Sequence, residues 1–573
     1  MTSAAPPTPA VDAGAMGWTR ARALSTAVPA TLLAAGLIFL VVFVVQHAGD
    51  YGRTFDEAIQ NYYGQLIYQW YASGGADDSF LDLPPESHIT HYGPAFELLV
   101  AWFQQRTGDP WHTRAVVGGL VGVLGIGGIA LVGRQLAGWW GALLAATALA
   151  LYPRYFGAMA NNSKDVPLTV VMIFVLWATI RLVRRWSLPG TPGQRTRRRA
   201  GDAALLGMLI GIGASVRSIA VVWVLVLALL VAGRWLLPAR RPAAGLARAE
   251  VRDQVVAALV CGAVSYAVIL ALFPYVFLHP VTGFVESVLL LSRYDWPGSV
   301  LFDGEMVPGK DVPWNYAPQW LLIGSPPVTV ALAVVGLGLL VADRVRRRAA
   351  DPAVLLAAGL FVVPLLLIIV RGATLYNALR QFLFVVPGMI LIGVVALVRL
   401  WRAANTLRAG PLGDVGEHRT VDGAPAHDRR VVPAWLALIA LVGVVLAGHV
   451  EALAATVRLY PLEYVYFSPI VGGFAGAHDR YEKDYWRACE TVSLHWIDEH
   501  RAELGIGERA SVFGVWNGGY YPMPPGLRPA AQDERPDIVI SNEFTPPRPD
   551  YPVVHEILAE GVPVCTIQLA PAR

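Results

Sequence analysis

Charged residues are scarce in this chain: they make up 15% of 573 residues, against 55% hydrophobic and a mean hydropathy of +0.48. That balance excludes a soluble globular fold and describes a polytopic membrane protein. Cysteine is scarcer still. Cys261 lies in an apolar run and only Cys489 and Cys565 follow, so a cysteine-rich metal site is excluded. The last two could form one disulfide outside the cytoplasm. A glycine-rich phosphate loop between a strand and a helix is also missing, which argues against nucleotide-driven transport and nucleotide cofactors. There is no internal repeat, and the only biased segment is the Ala/Pro/Thr-rich stretch 1–23, read as a disordered cytoplasmic tail. The net charge of +3 gives no sign of a nucleic-acid partner.

What the chain has instead is a series of apolar runs with loops of alternating sign. About eleven runs are expected to cross the bilayer, near 28–46, 115–136, 139–156, 166–183, 203–216, 219–236, 255–277, 320–342, 352–370, 382–398 and 433–455. The first follows Arg20 and Arg22 and has no small-residue cleavage site, so it reads as a retained anchor. Arginines gather after alternate runs, at Arg184, Arg185 and Arg195, at Arg240 and Arg241, and at Arg346 to Arg348. Those loops are expected inside, with the N-terminus cytoplasmic and the protein in a plasma or inner membrane. The loop 47–114 is acidic at its start, with a single base, Arg53, among seven acids up to Tyr92. It faces outward. Its aromatic segment from Tyr62 to Tyr71 suits a helix in the headgroup layer, and the short run 93–104 suits an interfacial or re-entrant piece.

The fold class expected is therefore an all-α polytopic membrane domain, 24–455, followed by a small extracytoplasmic α/β domain, 456–573. In the latter, an amphipathic helix near 487–503 precedes short apolar runs at 510–515, 538–541 and 562–569, which read as strands between Pro/Gly-rich turns.

Ionisable residues at the outward ends of spans are costly to place near a bilayer and mark a candidate site. They are Asp56, Glu57, Lys164, Asp165, Arg217, Arg371 and Arg380, from four outer loops on one face. Mutual ion pairing is the bland explanation. A carboxylate among cations also fits glycosyl transfer from a lipid phosphate: the carboxylate takes the acceptor hydroxyl proton while the cations hold the departing phosphate.

Several motifs carry a resemblance. Phe55-Asp56-Glu57, Ser163-Lys164-Asp165-Val166-Pro167, the stretch from Leu375 to Phe384, Tyr466-Phe467-Ser468-Pro469 and Asp484-Tyr485-Trp486 together resemble the GT-C glycosyltransferases. Within them, the chain is similar to the bacterial relatives of protein O-mannosyltransferases and to the aminoarabinose transferases. The resemblance implies a polyprenyl-phosphate sugar as donor, a protein, glycan or lipid acceptor, and an inverting single displacement. It makes Asp56 the catalytic base with Glu57 and Asp165 beside it and matches Lys164 and Arg380 to charged positions of the family, while the outer-loop charges alone add Arg217 and Arg371 to the set that would hold the donor phosphate. Asn377 and Gln381 depart from the Asp and His of the family pattern.

No cofactor is required by this reading, although Glu86, His88 and His91 could hold a divalent cation. Trp516, Tyr520 and Tyr521 could stack on a carbohydrate acceptor. The rival reading is a transporter or flippase of lipid-linked sugars, which would also need charges between spans.

Overall fold

The computed structural model describes residues 13–228, 244–292, 294, 296–408, 434–507, 509–516, 523–531 and 533–571. Most of the 1–23 tail, the second half of the run 219–236, and Tyr520 and Tyr521 lie outside them, as does the side chain of Glu86.

Helices dominate. In chain order the main ones are α1 (Ala13–His47), α2 (Phe55–Ala72), α3 (Ala95–Gln104), α4 (Pro110–Ala150), α5 (Asp165–Trp186), α6 (Pro192–Ala214) and α7 (Ala244–Leu272). They continue with α8 (Pro327–Val345), α9 (Pro352–Arg371), α10 (Val386–Arg408), α11 (Ala434–Leu459) and α12 (Ala488–Glu499). Among the described residues, eight helices are long and apolar enough to cross a membrane. Three of the expected eleven runs are not separate helices in that count. The runs 115–136 and 139–156 share α4, which turns back on itself at Gly138 (φ 75°), a conformation glycine adopts freely. Its two arms pack so tightly that a Cβ on Gly133 would stand 2.4 Å from the Gly141 carbonyl oxygen. The run 203–216 forms the end of α6, whose first half is arginine-rich, and the run 219–236 is only partly described.

Two small sheets complete the fold. β1 (Ser299–Phe302) and β2 (Glu305–Pro308) form an antiparallel hairpin through Asp303-Gly304, both with positive φ, as a type I′ turn demands. Near the C-terminus, β3 (Ala510–Phe513), β4 (Leu527–Pro529), β5 (Ile538–Ser541), β6 (Val553–Ala559) and β7 (Val562–Leu569) form a five-stranded sheet ordered β4-β3-β5-β7-β6. β3 runs parallel to β4 and β5, and β7 antiparallel to β5 and β6. α12 packs on β7, and Cys489 of α12 is disulfide-bonded to Cys565 of β7 with their Cα atoms 5.9 Å apart. This is the mostly helical membrane fold with a small C-terminal sheet that composition and patterning implied.

The sheet unit does not stand apart from the helices. The Phe55 N–H donates to the Trp486 carbonyl at 3.2 Å, the Thr491 hydroxyl to the Arg53 carbonyl at 3.2 Å, and Gly52 packs directly on the Ala488 backbone. The segment after α11 is thereby fixed to the start of α2.

Candidate active site

Five stretches of chain meet at one end of the helix bundle. They are the first turn of α2, the turn before α5, the turn after α6, the turn before α10, and the segment between α11 and α12. Local chemistry sets each of them. α2 begins with a Thr54-x-x-Glu57 capping box in which the Glu57 carboxylate accepts the Thr54 N–H at 2.9 Å. That leaves Asp56 in the first turn, one position around the helix from Glu57 and facing a different side. Before α5, the Asn162 side-chain oxygen accepts the N–H groups of Lys164 (3.0 Å) and Asp165 (2.7 Å), an Asx turn that presents Lys164 to Asp56 and Asp165 to Arg217. The Thr54 hydroxyl donates to the Asn161 carbonyl and the Asn161 amide to the Gly52 carbonyl, locking the two turns together.

The result is a chain of ion pairs. Arg380 Nη1 lies 2.8 Å from Asp56 Oδ2 and 3.9 Å from Asp165 Oδ2. Lys164 Nζ stands 3.9 Å from Asp56 Oδ1, over the ring of Tyr92 at 4.7 Å. Arg217 pairs with Asp165 Oδ1, whose other oxygen accepts from the Asn162 amide at 3.3 Å. The Arg380 guanidinium also lies over Tyr376 and Trp486. Asp165 is buried, while Asp56 keeps 22% of its side chain exposed toward a cavity of about 540 Å³. Burial alone would raise the Asp56 carboxyl. The charges of Lys164 and Arg380 outweigh it and hold the group below the usual carboxylate value, so it stands ionised at neutral pH.

Of the residues singled out in the sequence, Asp56, Lys164, Asp165, Arg217 and Arg380 come together here. Glu57 does not join them. It points down into the bundle, where Arg114 Nε meets it at 3.0 Å and the other two nitrogens of Arg114 meet Glu97 at 2.7 and 3.2 Å. Burial, partly offset by Arg114, pushes Glu57 up to about 7, as expected where one guanidinium serves two buried carboxylates. Arg371 ends α9, is exposed, and neither lines the cavity nor pairs with these acids. Of the residues that could hold a cation, the Glu86 side chain lies outside the described residues, His91 Nδ1 bonds the Ser287 hydroxyl at 3.1 Å and His88 packs edge-on against Tyr294. Among the described residues, one cluster has metal-ligand geometry, Asp484 with Cys489 and Cys565, and its sulfurs are bonded to each other.

Of the aromatic walls, sequence reasoning pointed to Trp516 but missed Tyr92, Tyr376 and Phe544. Tyr92, Trp296 and Tyr376 line the cavity beside the cations, with Trp296 and Tyr376 stacked at 4.4 Å. On the other side, Arg487 lies 5.1 Å from the Trp516 ring and 4.2 Å from the Phe544 ring. Scattered aromatics leave no periodic signal. Arg114 was legible in principle, since the capping box turns Glu57 inward and a buried acid needs a cation.

Residues 93–249, roughly a quarter of the chain, match the family described as dolichyl-phosphate-mannose-protein mannosyltransferase. The match bears out the resemblance in the motifs. It contains Lys164, Asp165 and Arg217 but stops short of Arg380 and begins after Asp56. The chain is thus a polytopic membrane protein in which one segment matches this family's model. Curated proteins give no match. Solved structures of similar shape include ArnT from Cupriavidus metallidurans bound to undecaprenyl phosphate, 15% identical over 95% of this chain and 99% of that one, with a TM-score of 0.45. Another is the archaeal oligosaccharyltransferase AglB from Archaeoglobus fulgidus in complex with an inhibitory peptide and a dolichol-phosphate. It is 14% identical over 84% of this chain, with a TM-score of 0.45, and this chain spans 63% of its length.

Proposed function

We propose that the chain transfers a sugar from a polyprenyl-phosphate donor to an acceptor hydroxyl, inverting the anomeric carbon, on the membrane face away from the cytoplasm. One observation carries this reading: an ionised carboxylate, Asp56, sits between Arg380 at 2.8 Å and Lys164 at 3.9 Å and opens onto a cavity of about 540 Å³. The description of the matched family, a lipid-phosphate-mannose enzyme, agrees with a donor of this class.

The chemistry follows from the charges. A donor phosphate entering the cavity competes with Asp56 for Arg380 and Lys164, because bidentate and charge-assisted bonds to phosphate are strong. Asp56 then loses the cations that depress it and becomes a better base. It takes the proton of the acceptor hydroxyl as that oxygen attacks the anomeric carbon. The bond from that carbon to the phosphate oxygen breaks, and the electron pair leaves on the phosphate, where Arg380 and Lys164 stabilise it. Phosphate leaves readily, so no general acid is needed. Asp165 and Arg217 hold Arg380 in place, and Glu57 fixes the first turn of α2. The Arg487, Trp516 and Phe544 side of the cavity, supplied by the C-terminal segment, faces the acceptor.

Replacement of either cation should weaken donor binding. Purified Arg380→Ala and Lys164→Ala proteins are expected to bind undecaprenyl phosphate about tenfold or more weakly in detergent by titration calorimetry. Parental affinity in both would sink the assignment of these residues to the phosphate.

The orientation has its own test. Cysteines placed at the exposed positions Asp78 and Asp550 are expected to react with a membrane-impermeant maleimide in intact cells. Reaction only after permeabilisation would reverse the topology.

A further inference from the structure

Glu482 lies between α11 and α12, outside the chain of ion pairs. It is 6% exposed, and among the described residues no cation lies within salt-bridge distance of it. Its Oε2 accepts the Ala378 N–H at 3.3 Å and the Tyr316 hydroxyl at 3.5 Å. The residues it grips are unusual. Asn377 and Ala378 are consecutive non-glycine residues with positive φ, 59° and 61°, in a buried turn two residues before Arg380. Asparagine tolerates that region, whereas alanine persists there only where its surroundings over-determine it.

That turn sets the direction of Arg380. With its amide oriented so that the oxygen faces Arg380, Asn377 accepts Nε at 3.3 Å and Nη2 at 2.9 Å. The remaining nitrogen, Nη1, is the one that reaches Asp56 at 2.8 Å. A shift in the backbone at 377–378 therefore moves the guanidinium away from Asp56 and Asp165.

We propose that Glu482 is a positioning residue: its carboxyl group clamps the left-handed Asn377-Ala378 turn from the C-terminal segment, and so presents Arg380 to the lipid phosphate of the donor. The role rests on the donor-phosphate reading of Arg380. Burial, followed by the nearby charge of Glu543, raises Glu482 to about 8, so at neutral pH it is mainly the uncharged acid. A glutamine has the same shape and retains an oxygen for the Ala378 N–H.

The turn supplies the test. Glu482→Ala and the one-methylene-shorter Glu482→Asp should each bind undecaprenyl phosphate about tenfold more weakly than the parent, whereas Glu482→Gln should stay within about twofold. Adding Ala378→Gly to Glu482→Ala should recover most of the lost affinity, because glycine adopts positive φ without strain and needs no clamp. A merely structural role for Glu482 would not respond to a glycine at 378. Glu482→Asp covers the case in which Glu482→Ala fails to fold. Parental affinity in Glu482→Asp, or no recovery with Ala378→Gly, would overturn the proposal provided Arg380→Ala itself binds weakly. Parental affinity in Arg380→Ala would instead overturn the donor-phosphate reading beneath it.

Discussion

Asp56→Asn should lower turnover by about 10²-fold or more while leaving the amount of folded protein unchanged. The substitution is nearly isosteric, and asparagine can still accept from Arg380 through its oxygen, so the 2.8 Å contact survives in altered form. What disappears is the ability to take a proton. Undecaprenyl phosphate should bind as well as to the parent or better, since Arg380 and Lys164 no longer face a competing negative charge. The measurement is single-turnover transfer from a polyprenyl-phosphate sugar alongside calorimetric binding of the lipid phosphate. Transfer at the parental rate would remove Asp56 as the base and leave its ion pairs as structure, which is the outcome a transporter of lipid-linked sugars predicts.

The second large effect is on stability. Arg114→Leu leaves Glu57 and Glu97 buried with no cation between them, and breaking a buried pair in this way typically costs about 3–5 kcal/mol. The loss should depend on pH. Without Arg114 the folded-state value of the Glu57 carboxyl lies still further above its unfolded value. A carboxyl raised in the folded state favours folding at acid pH, and that contribution is lost as pH rises through the folded value. For Glu57, already near 7 with Arg114 present, that window reaches into the neutral range and above. The variant should therefore melt closest to the parent near pH 5 and furthest below it near pH 8, measured as the thermal midpoint in detergent. Adding Glu57→Gln should restore part of the loss. A midpoint equal to the parent at pH 8 would show that the triad does not hold α2, α3 and α4 together.

Much of this was legible in the sequence. Hydropathy located the spans, and the break between the runs ending at 136 and starting at 139 marked the Gly138 reversal, because a glycine between two apolar helices permits φ above zero. The acidic loop, the Lys164-Asp165 turn and Arg380 could be grouped because charges at span ends have few cheap explanations. The pairings were less legible. Asp56 and Glu57 are adjacent, yet a helix sets neighbours about 100° apart, so one faces the cavity and the other the bundle. The Thr54-x-x-Glu57 box carried that information. Arg371 resembled Arg380 in position but belongs to the end of α9, where a cation complements the helix terminus. Glu482 gave no signal, since a left-handed turn at Asn377-Ala378 is invisible in residue types that so seldom adopt it.

The Phe55 to Trp486 hydrogen bond, with Thr491 on Arg53, has a consequence for biosynthesis. At about 5–20 residues per second of translation, the ribosome reaches Trp486 roughly 20–90 s after Asp56. The first turn of α2 can acquire Arg114 within seconds, but Arg380 follows Asp56 by 324 residues and the wall from Tyr485 to Arg487 comes later still. Until then Asp56 has Lys164 beside it but not the closer partner, Arg380. A nascent chain halted after α11 would thus hold Asp56, Lys164 and Arg380 yet lack one whole side of the cavity they open onto.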